Sequence, residues 1–416
     1  MKMTRIVGKE IYDSRGEPTI MCEIFLNEEL SVQASIPSGA SCGSREAFEL
    51  RDGGSRLSGK GVLKAISNIE TIIAPELLGK EPDTHMADLI MRQIDGSFNK
   101  KNLGANATLA VSIAVCKAQA LLQDLELFEM IAQLHGVESV SLPFPLFNFF
   151  NGGIHSNNNF PIQEIMLVPV GLQNFRSAME AATTVFHVLK DLLNKNGKSI
   201  AVGDEGGFVC AFKNDFEPFD FMMNAIDKAG YEGLFTLAID VAATQLYDRK
   251  ENIYKWGSVK KTSSEINNFY GELLNKYPLY SIEDGCAESD IDGWKEMHEL
   301  FGKKLQIVGD DICVTNTRYI QECIKEDILN AVIIKPNQIG TVTETLEAIA
   351  MCHQNNLNAI VSHRSGDTED SFIADLAVGS SAGQIKSGGC SRSERMAKYN
   401  RLLCIEDMLT LSLLNN

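Results

Sequence analysis

FTLAID (235–240), LYSIE (279–283), LQIVGD (305–310), AVIIK (331–335), AIVSH (359–363) and GQIK (383–386) are six short apolar runs, each ending on a charged or ionisable residue. Each run has strand length and strand composition, and helix-patterned sequence fills most of the space between them. Strand, loop, helix, strand, repeated, is the rhythm of a barrel of parallel strands. The C-terminal ends of such strands all open on one mouth. Asp240, Glu283, Asp310, Lys335, His363 and Lys386 are therefore expected to meet around a single pocket.

Upstream of these runs, FPLFNFF (144–150) and IQEIMLVPV (162–170) are apolar with no obvious helix between them. Residues 178–197 then carry a helical stripe of Val185, Leu189, Leu192 and Leu193, with Gly197 as a C-cap, and SIAVGDE (199–205) reads as a further strand. Thr262 with Glu265, and Thr341 with Glu344, are candidate capping boxes. The first part of the chain differs. Strand-type runs IVGKEIYD (6–13), TIMCEIFL (19–26) and LSVQASIP (30–37) come first, and helix-patterned sequence follows from Val62 to about Leu134. Strands followed by helices indicate an α+β unit. The fold class is accordingly α/β: a smaller N-terminal α+β capping domain over residues 1–135 and a C-terminal TIM-like (β/α)₈ barrel over 136–416, divided where LHGVESVSLP carries Gly136 and Pro143.

Composition narrows the functions this architecture can serve. A formal net charge of −17 argues against nucleic acid or an anionic membrane as the main partner, because phosphate backbones need clustered Lys and Arg. An anionic substrate would have to be met locally, by bound cations and by the few basic residues at the strand ends. The N-terminal MKMTRIVGKEIYD meets Lys9, Glu10 and Asp13 before any signal-length apolar stretch. The most apolar window, 103–123, is interrupted by Asn106, Thr108, Ser112 and Lys117, which suits a buried helix better than a membrane span. Ten cysteines occur without one C-x-x-C, so zinc and redox motifs are unsupported and the thiols read as reduced. A cytoplasmic location is expected.

Asp240, Glu283 and Asp310 offer hard oxygen ligands with no imidazole or thiolate adjacent in sequence, a donor set for magnesium or manganese. Neighbouring positive charge favours the neutral form of a lysine, an effect that Lys335 and Lys386 could supply to each other, helped by the metal. A base beside a divalent cation is what removal of a proton α to a carboxylate requires. Glu164 in PIQEIM and Glu205 in GDEGG stand at what read as earlier strand ends, and an acid facing the base could protonate a leaving hydroxyl. Arg364 and Ser365, in SHRSG beside His363, could hold a phosphate or carboxylate. PSGASCG (37–43) is a small, flexible loop whose Ser41 could reach a cation or a phosphate, or could equally be a surface turn.

Taken together, YDSRGEPT (12–19), PSGASCGSREAFELRDG (37–53), LGANATLAVSIA, NGGIHSNNNFPIQE, AVGDEGGF, LAIDVAATQLY, SIEDG, GDDICVTN, IIKPNQIGTVTET, VSHRSGDTED and GQIKSGGCSRSER closely resemble the enolase family, in order and along essentially the whole chain. The resemblance implies a barrel of ββαα(βα)₆ topology and the reversible dehydration of 2-phosphoglycerate to phosphoenolpyruvate. By position it implies two magnesium ions, the first held by Asp240, Glu283 and Asp310 and the second by Ser41 with the substrate phosphate. Lys335 resembles the general base, Glu205 the acid supported by Glu164, and Lys386 the contact to the substrate carboxylate. His155, Arg364 and Ser365 match residues that close on the substrate and bind its phosphate, with His363 against the same site. The partner implied is a small phosphorylated hydroxy acid, within a homodimer or octamer, and a secondary role displayed at a surface stays open. Cys42, Val209, Cys210 and Glu17 depart from the family's usual residues without removing a catalytic side chain. Two other readings remain: a superfamily member acting on an unphosphorylated sugar acid, which would not need Ser41, His155, Arg364 and Ser365, and a non-catalytic binding protein, which would not need the base and acids.

Overall fold

The N-terminal sheet is antiparallel, with β1 (Arg5–Tyr12), β2 (Pro18–Phe25) and β3 (Ser31–Ser35) in that order, Arg5 standing opposite Phe25 and Phe25 opposite Ser31. The computed structural model describes residues 1–39, 43–153 and 160–414, with side chains to 411. One face of the sheet buries Ile6, Ile20, Cys22, Ile24 and Ala34. The other carries polar pairs such as Lys9 with Glu23 at 2.6 Å. Helix Ala105–Leu122 packs on β2 and β3. It is apolar nearly all round and mostly buried, as the pattern of a core helix requires, although its length and composition would also suit a membrane span.

The second unit is a closed barrel whose strands run in the order β10-β11-β12-β13-β14-β4-β5-β6. These strands are β4 (Phe144–Asn151), β5 (Glu164–Val168), β6 (Thr236–Asp240), β10 (Leu279–Glu283), β11 (Gln306–Gly309), β12 (Ala331–Ile334), β13 (Asn358–Ser362) and β14 (Gly383–Lys386). A small outer hairpin sheet, β7 (Tyr247–Asp248), β8 (Ile253–Trp256) and β9 (Val259–Lys261), lies between β6 and β10 in sequence. Every barrel neighbour pair is parallel except those made by β5, which is antiparallel to both β4 and β6. β4 and β5 thus form the helix-free hairpin at the start of the barrel. Leu146, Met166, Val168, Ala238, Val308, Ala331, Ile333 and Ile360 fill a packed interior cluster. Strands such as β12 are buried throughout because helices cover their other face.

Two expectations need correction. SIAVGDE is not a barrel strand: residues 200–208 contribute only isolated bridges, Val202 to Phe208 and Phe150 to Phe208. The segment lies between helices Phe175–Lys195 and Glu217–Lys228, and β5 already has a partner on each side, so the closed barrel offers no edge for another strand. The Thr262–Glu265 capping box is complete, whereas Thr341 accepts from the Glu344 N–H without its own N–H donating back to the Glu344 carboxylate.

The two units are joined by polar contacts from helix Ala105–Leu122 and from Lys100 to the segment after β12 and the helix Val342–Gln354 that it leads into. The Thr108 hydroxyl donates to the Gly340 carbonyl at 2.8 Å, Ser112 accepts from the Val342 N–H at 2.9 Å, and Lys100 pairs with Glu344 at 2.8 Å. Gly340 has φ +94°, and a Cβ there would stand 3.1 Å from that of Ala105, so this close approach needs glycine.

Candidate active site

Strand direction delivers the site residues. Asp240, Glu283 and Lys386 end β6, β10 and β14, while Asp310, Lys335 and His363 immediately follow β11, β12 and β13. Glu164 is the first residue of β5, not the last; because β5 is reversed, its start faces the mouth, in register with Asp240. Glu205 sits in a turn instead of at a strand end. That turn is held by the Gly206 backbone at φ +85°, where a Cβ would lie 2.9 Å from the Ser391 carbonyl oxygen. Glu164, Glu205, Asp240, Lys335, His363, Arg364, Ser365 and Lys386 line one cavity. Ser41 and His155 lie outside the described residues.

Lys386 is the hub. Its buried ammonium contacts Asp240 at 2.8 Å, both oxygens of Glu283 at 2.9 and 3.0 Å, and Glu164 at 3.2 Å. Burial pulls its pKa down, yet these carboxylates outweigh burial and hold it well above the usual lysine range. Lys335 donates to Asp310, whose other oxygen accepts from Gln338 at 2.9 Å. For Lys335 too, burial acts downward and the charge of Asp310 more than reverses it, so the pKa is raised. The lowering of Lys335 by Lys386 alone is thus outweighed by the carboxylate that Lys335 contacts. Lys386 and Arg364 do act on Lys335 in the expected direction, but a carboxylate in direct contact is stronger.

The carboxylates show the complementary effect. Burial, then the charge of Glu205, pushes Glu164 well above the carboxylate range, and burial with Asp240 does the same to Glu283. Asp310 is pushed up by burial, but Lys335 outweighs this and holds it low. Buried charges of this kind are tolerable only when paired.

Several residues that strand-end reasoning passed over complete the site. Asp284, with φ +43°, accepts the N–H groups of Asp310 at 2.8 Å and Asp311 at 3.0 Å, and the three carboxylates place oxygens within 4.8 Å of one another. Burial and the neighbouring Asp310 push Asp311 up to about 8. The doubled acids of IEDG and GDD were the available signal. Asn148 donates to Glu205 at 3.1 Å, and as a lone amide in the apolar run FPLFNFF it was also visible. Glu46, from the N-terminal domain, forms a two-pronged ion pair with Arg364, 3.1 Å at each prong. Arg395, the last residue of the run GQIKSGGCSRSER, joins from the first turn of helix Ser393–Leu414.

The donor set fits a hard divalent cation. Asp240 and Glu283, adjacent in the ladder, already gather around one cationic group, the Lys386 ammonium, and Asp310 holds another. All three are oxygen donors, and among the described residues no cysteine lines the cavity. Comparison with known families agrees with this geometry along nearly the whole chain. The family model for the enolase N-terminal domain matches residues 3–131, and that for the enolase C-terminal TIM barrel domain matches residues 139–413.

Proposed function

Because the chain belongs to the enolase family, we propose that it is the carbon–oxygen lyase that interconverts 2-phospho-D-glycerate with phosphoenolpyruvate and water. The observation that carries this reading is the shared cavity: an amine, Lys335, and a carboxyl, Glu205, border one space with Arg364 and Ser365, the groups suited to a phosphate.

Asp240, Glu283 and Asp310 would hold one magnesium ion, and Ser41 with the substrate phosphate a second. Bound there, magnesium supplies positive charge against the substrate carboxylate and the negative charge that builds on it. Lys335 takes the proton from C2. It can do so only after its ammonium is relieved of Asp310 and loses its proton, since in the ion pair it is held protonated. Glu205, oriented by Asn148 and kept beside the high-pKa Glu164, gives a proton to the 3-hydroxyl as the C3–O bond breaks, and water leaves. Lys386 turns from its carboxylates toward the carboxylate of the substrate, and His363 borders the same cavity. A homodimer, or an octamer built from dimers, using the exposed Tyr12 in the YDSRGEPT segment, belongs to the same proposal.

Purified protein given magnesium and 2-phosphoglycerate should produce phosphoenolpyruvate, read by its ultraviolet absorbance. A panel of unphosphorylated sugar acids should give none. Folded, magnesium-loaded protein that leaves 2-phosphoglycerate untouched refutes the proposal, and turnover of a sugar acid replaces it.

A further inference from the structure

Arg395 stands in the first turn of helix Ser393–Leu414 and has no exposed surface. Its Nη1 lies 2.6 Å from His363 Nδ1 and donates to the Arg364 carbonyl, also at 2.6 Å. Its Nη2 donates to the Ser365 carbonyl at 2.7 Å and the Asp204 carbonyl at 2.9 Å. One guanidinium therefore spans two chain segments: the 363–365 loop that borders the cavity, and the turn that presents Glu205. The fit is close, since a Cβ on Gly388 would lie 2.7 Å from Arg395 Cδ.

A guanidinium has donors and no acceptor. His363 Nδ1 must therefore offer its lone pair, which leaves the ring neutral with its single proton on Nε2. An imidazolium, or the other tautomer, would set N–H against N–H at 2.6 Å. The groups that bear on the ring are Arg395, Glu205, Lys386 and Lys335, and burial together with Arg395 lowers the tendency of His363 to take a second proton. Asp367, in the loop that follows Ser365 and 3.6 Å from Nη1, and Glu394, on the helix and 3.4 Å from Nε, pair with the guanidinium.

We propose that Arg395 is a positioning residue that fixes His363 as the neutral Nε2–H tautomer and ties the 363–365 loop to the turn bearing Glu205. Its kinetic consequence rests on the dehydration proposed above, whereas its structural consequence does not.

Nitrogen-15 histidine labelling reads the tautomer directly, with the His363 signal assigned by its loss in His363→Gln. In the substrate-free wild-type protein at neutral pH, His363 should show a protonated Nε2 and an unprotonated Nδ1. A protonated Nδ1 or an imidazolium overturns the proposal, and this arm needs neither activity nor a variant at Arg395. Arg395→Met should lose the fixed tautomer and lower kcat about 100-fold, the order of loss expected when reacting groups shift by about 1 Å, with KM changed less than about tenfold. Arg395→Lys, which keeps the charge but cannot span four acceptors, should recover part of kcat. Arg401→Met, on the same helix as Arg395 but breaking only the pairs with Asp375 and Glu126 of neighbouring helices, should leave kcat unchanged. Folded Arg395→Met with kcat within about threefold of wild type refutes the positioning role. If 2-phosphoglycerate is not the substrate, the kinetic arm is silent for wild type and variants alike, while the tautomer still decides the structural claim.

Discussion

Asp88 offers a stability prediction whose size comes from one side chain. It lies fully buried on helix Thr84–Asp95 and accepts the Thr343 N–H at 2.9 Å, linking the N-terminal domain to a barrel helix. Its Oδ1 has no hydrogen-bond partner. Burial raises its pKa from 3.8 to about 6, against the opposing pull of Ser112 and the Thr343 N–H, and the nearby Glu344 adds to the rise. The sign follows from proton counting. Between 3.8 and about 6 the folded state binds more proton than the unfolded one, so stability falls as pH rises through that window. The penalty is absent below it and complete above it, and amounts to about 3 kcal/mol at 1.36 kcal/mol per unit. Asp88→Asn keeps an acceptor for Thr343 and never ionises. Urea denaturation of both proteins should show the variant gaining on wild type by about 1.3 kcal/mol between pH 5 and pH 7, whatever its offset at either pH. The prediction concerns the slope, so other groups titrating equally in both proteins cancel. A difference that stays constant with pH would mean that the Asp88 carboxylate is not desolvated as its burial requires.

Four predictions concern the site. Lys335→Ala should abolish exchange of the C2 proton with deuterated solvent, yet bind magnesium in calorimetry at least as tightly as wild type, because Asp310 loses its competing ammonium; retained exchange removes Lys335 from its role. Glu205→Gln should keep that exchange while slowing phosphoenolpyruvate formation by about 10²–10⁴-fold, and equal loss of both contradicts the order of steps. Asp310→Asn should weaken magnesium at least about tenfold by calorimetry, since it removes a charged ligand. Asp284→Ala should strand the N–H groups of Asp310 and Asp311, costing about 1–3 kcal/mol in urea denaturation for each buried donor left unpaired, less whatever is regained from relieved repulsion with Asp311; unchanged stability and unchanged magnesium affinity would show that Asp284 does not anchor this loop.

How much of this was legible in the sequence depends on what each feature needs. Six strand ends were readable because apolar runs of strand length stop abruptly at a polar residue, and parallel topology does the rest. The reversed β5 was visible as a missing helix, but the pattern of its own residues is the same in either direction, so Glu164 was placed at the right mouth by the wrong end of the strand. IAV within SIAVGDE has strand composition, yet a closed sheet has no unpaired edge to receive it. Tertiary pairing overrode local preference there. Ion pairing was opaque for another reason: whether Lys335 meets a lysine or Asp310 depends on the reach of side chains across the barrel, which spacing does not encode. Arg395 closes the quoted run GQIKSGGCSRSER, but nothing in its charge or spacing distinguishes it from a surface arginine, and only the fold reveals that it is buried.

In the proposed reaction, the pairing of charges in the mouth governs how a strongly acidic chain would admit an anion. Among the described residues, the lysines and the arginine that line the cavity are already committed: Arg364 to Glu46, Lys335 to Asp310, and Lys386 to Asp240, Glu283 and Glu164. An anionic substrate entering this arrangement would find neutralised pairs and an excess of carboxylates. A divalent cation offers Asp240, Glu283 and Asp310 a partner that can take the place of the two lysines. Arg364 faces a parallel choice, since a phosphate must displace or share Glu46, a residue supplied by the other domain. In the proposed reaction, magnesium and substrate are therefore coupled in binding through the chain's own lysines. The affinity for 2-phosphoglycerate should rise with magnesium concentration, and the affinity for magnesium should rise by the same factor with 2-phosphoglycerate, as linkage demands. Titration of either one by calorimetry at several fixed levels of the other measures that factor, and a value of one would show that Lys335 and Lys386 are not the elements that couple them.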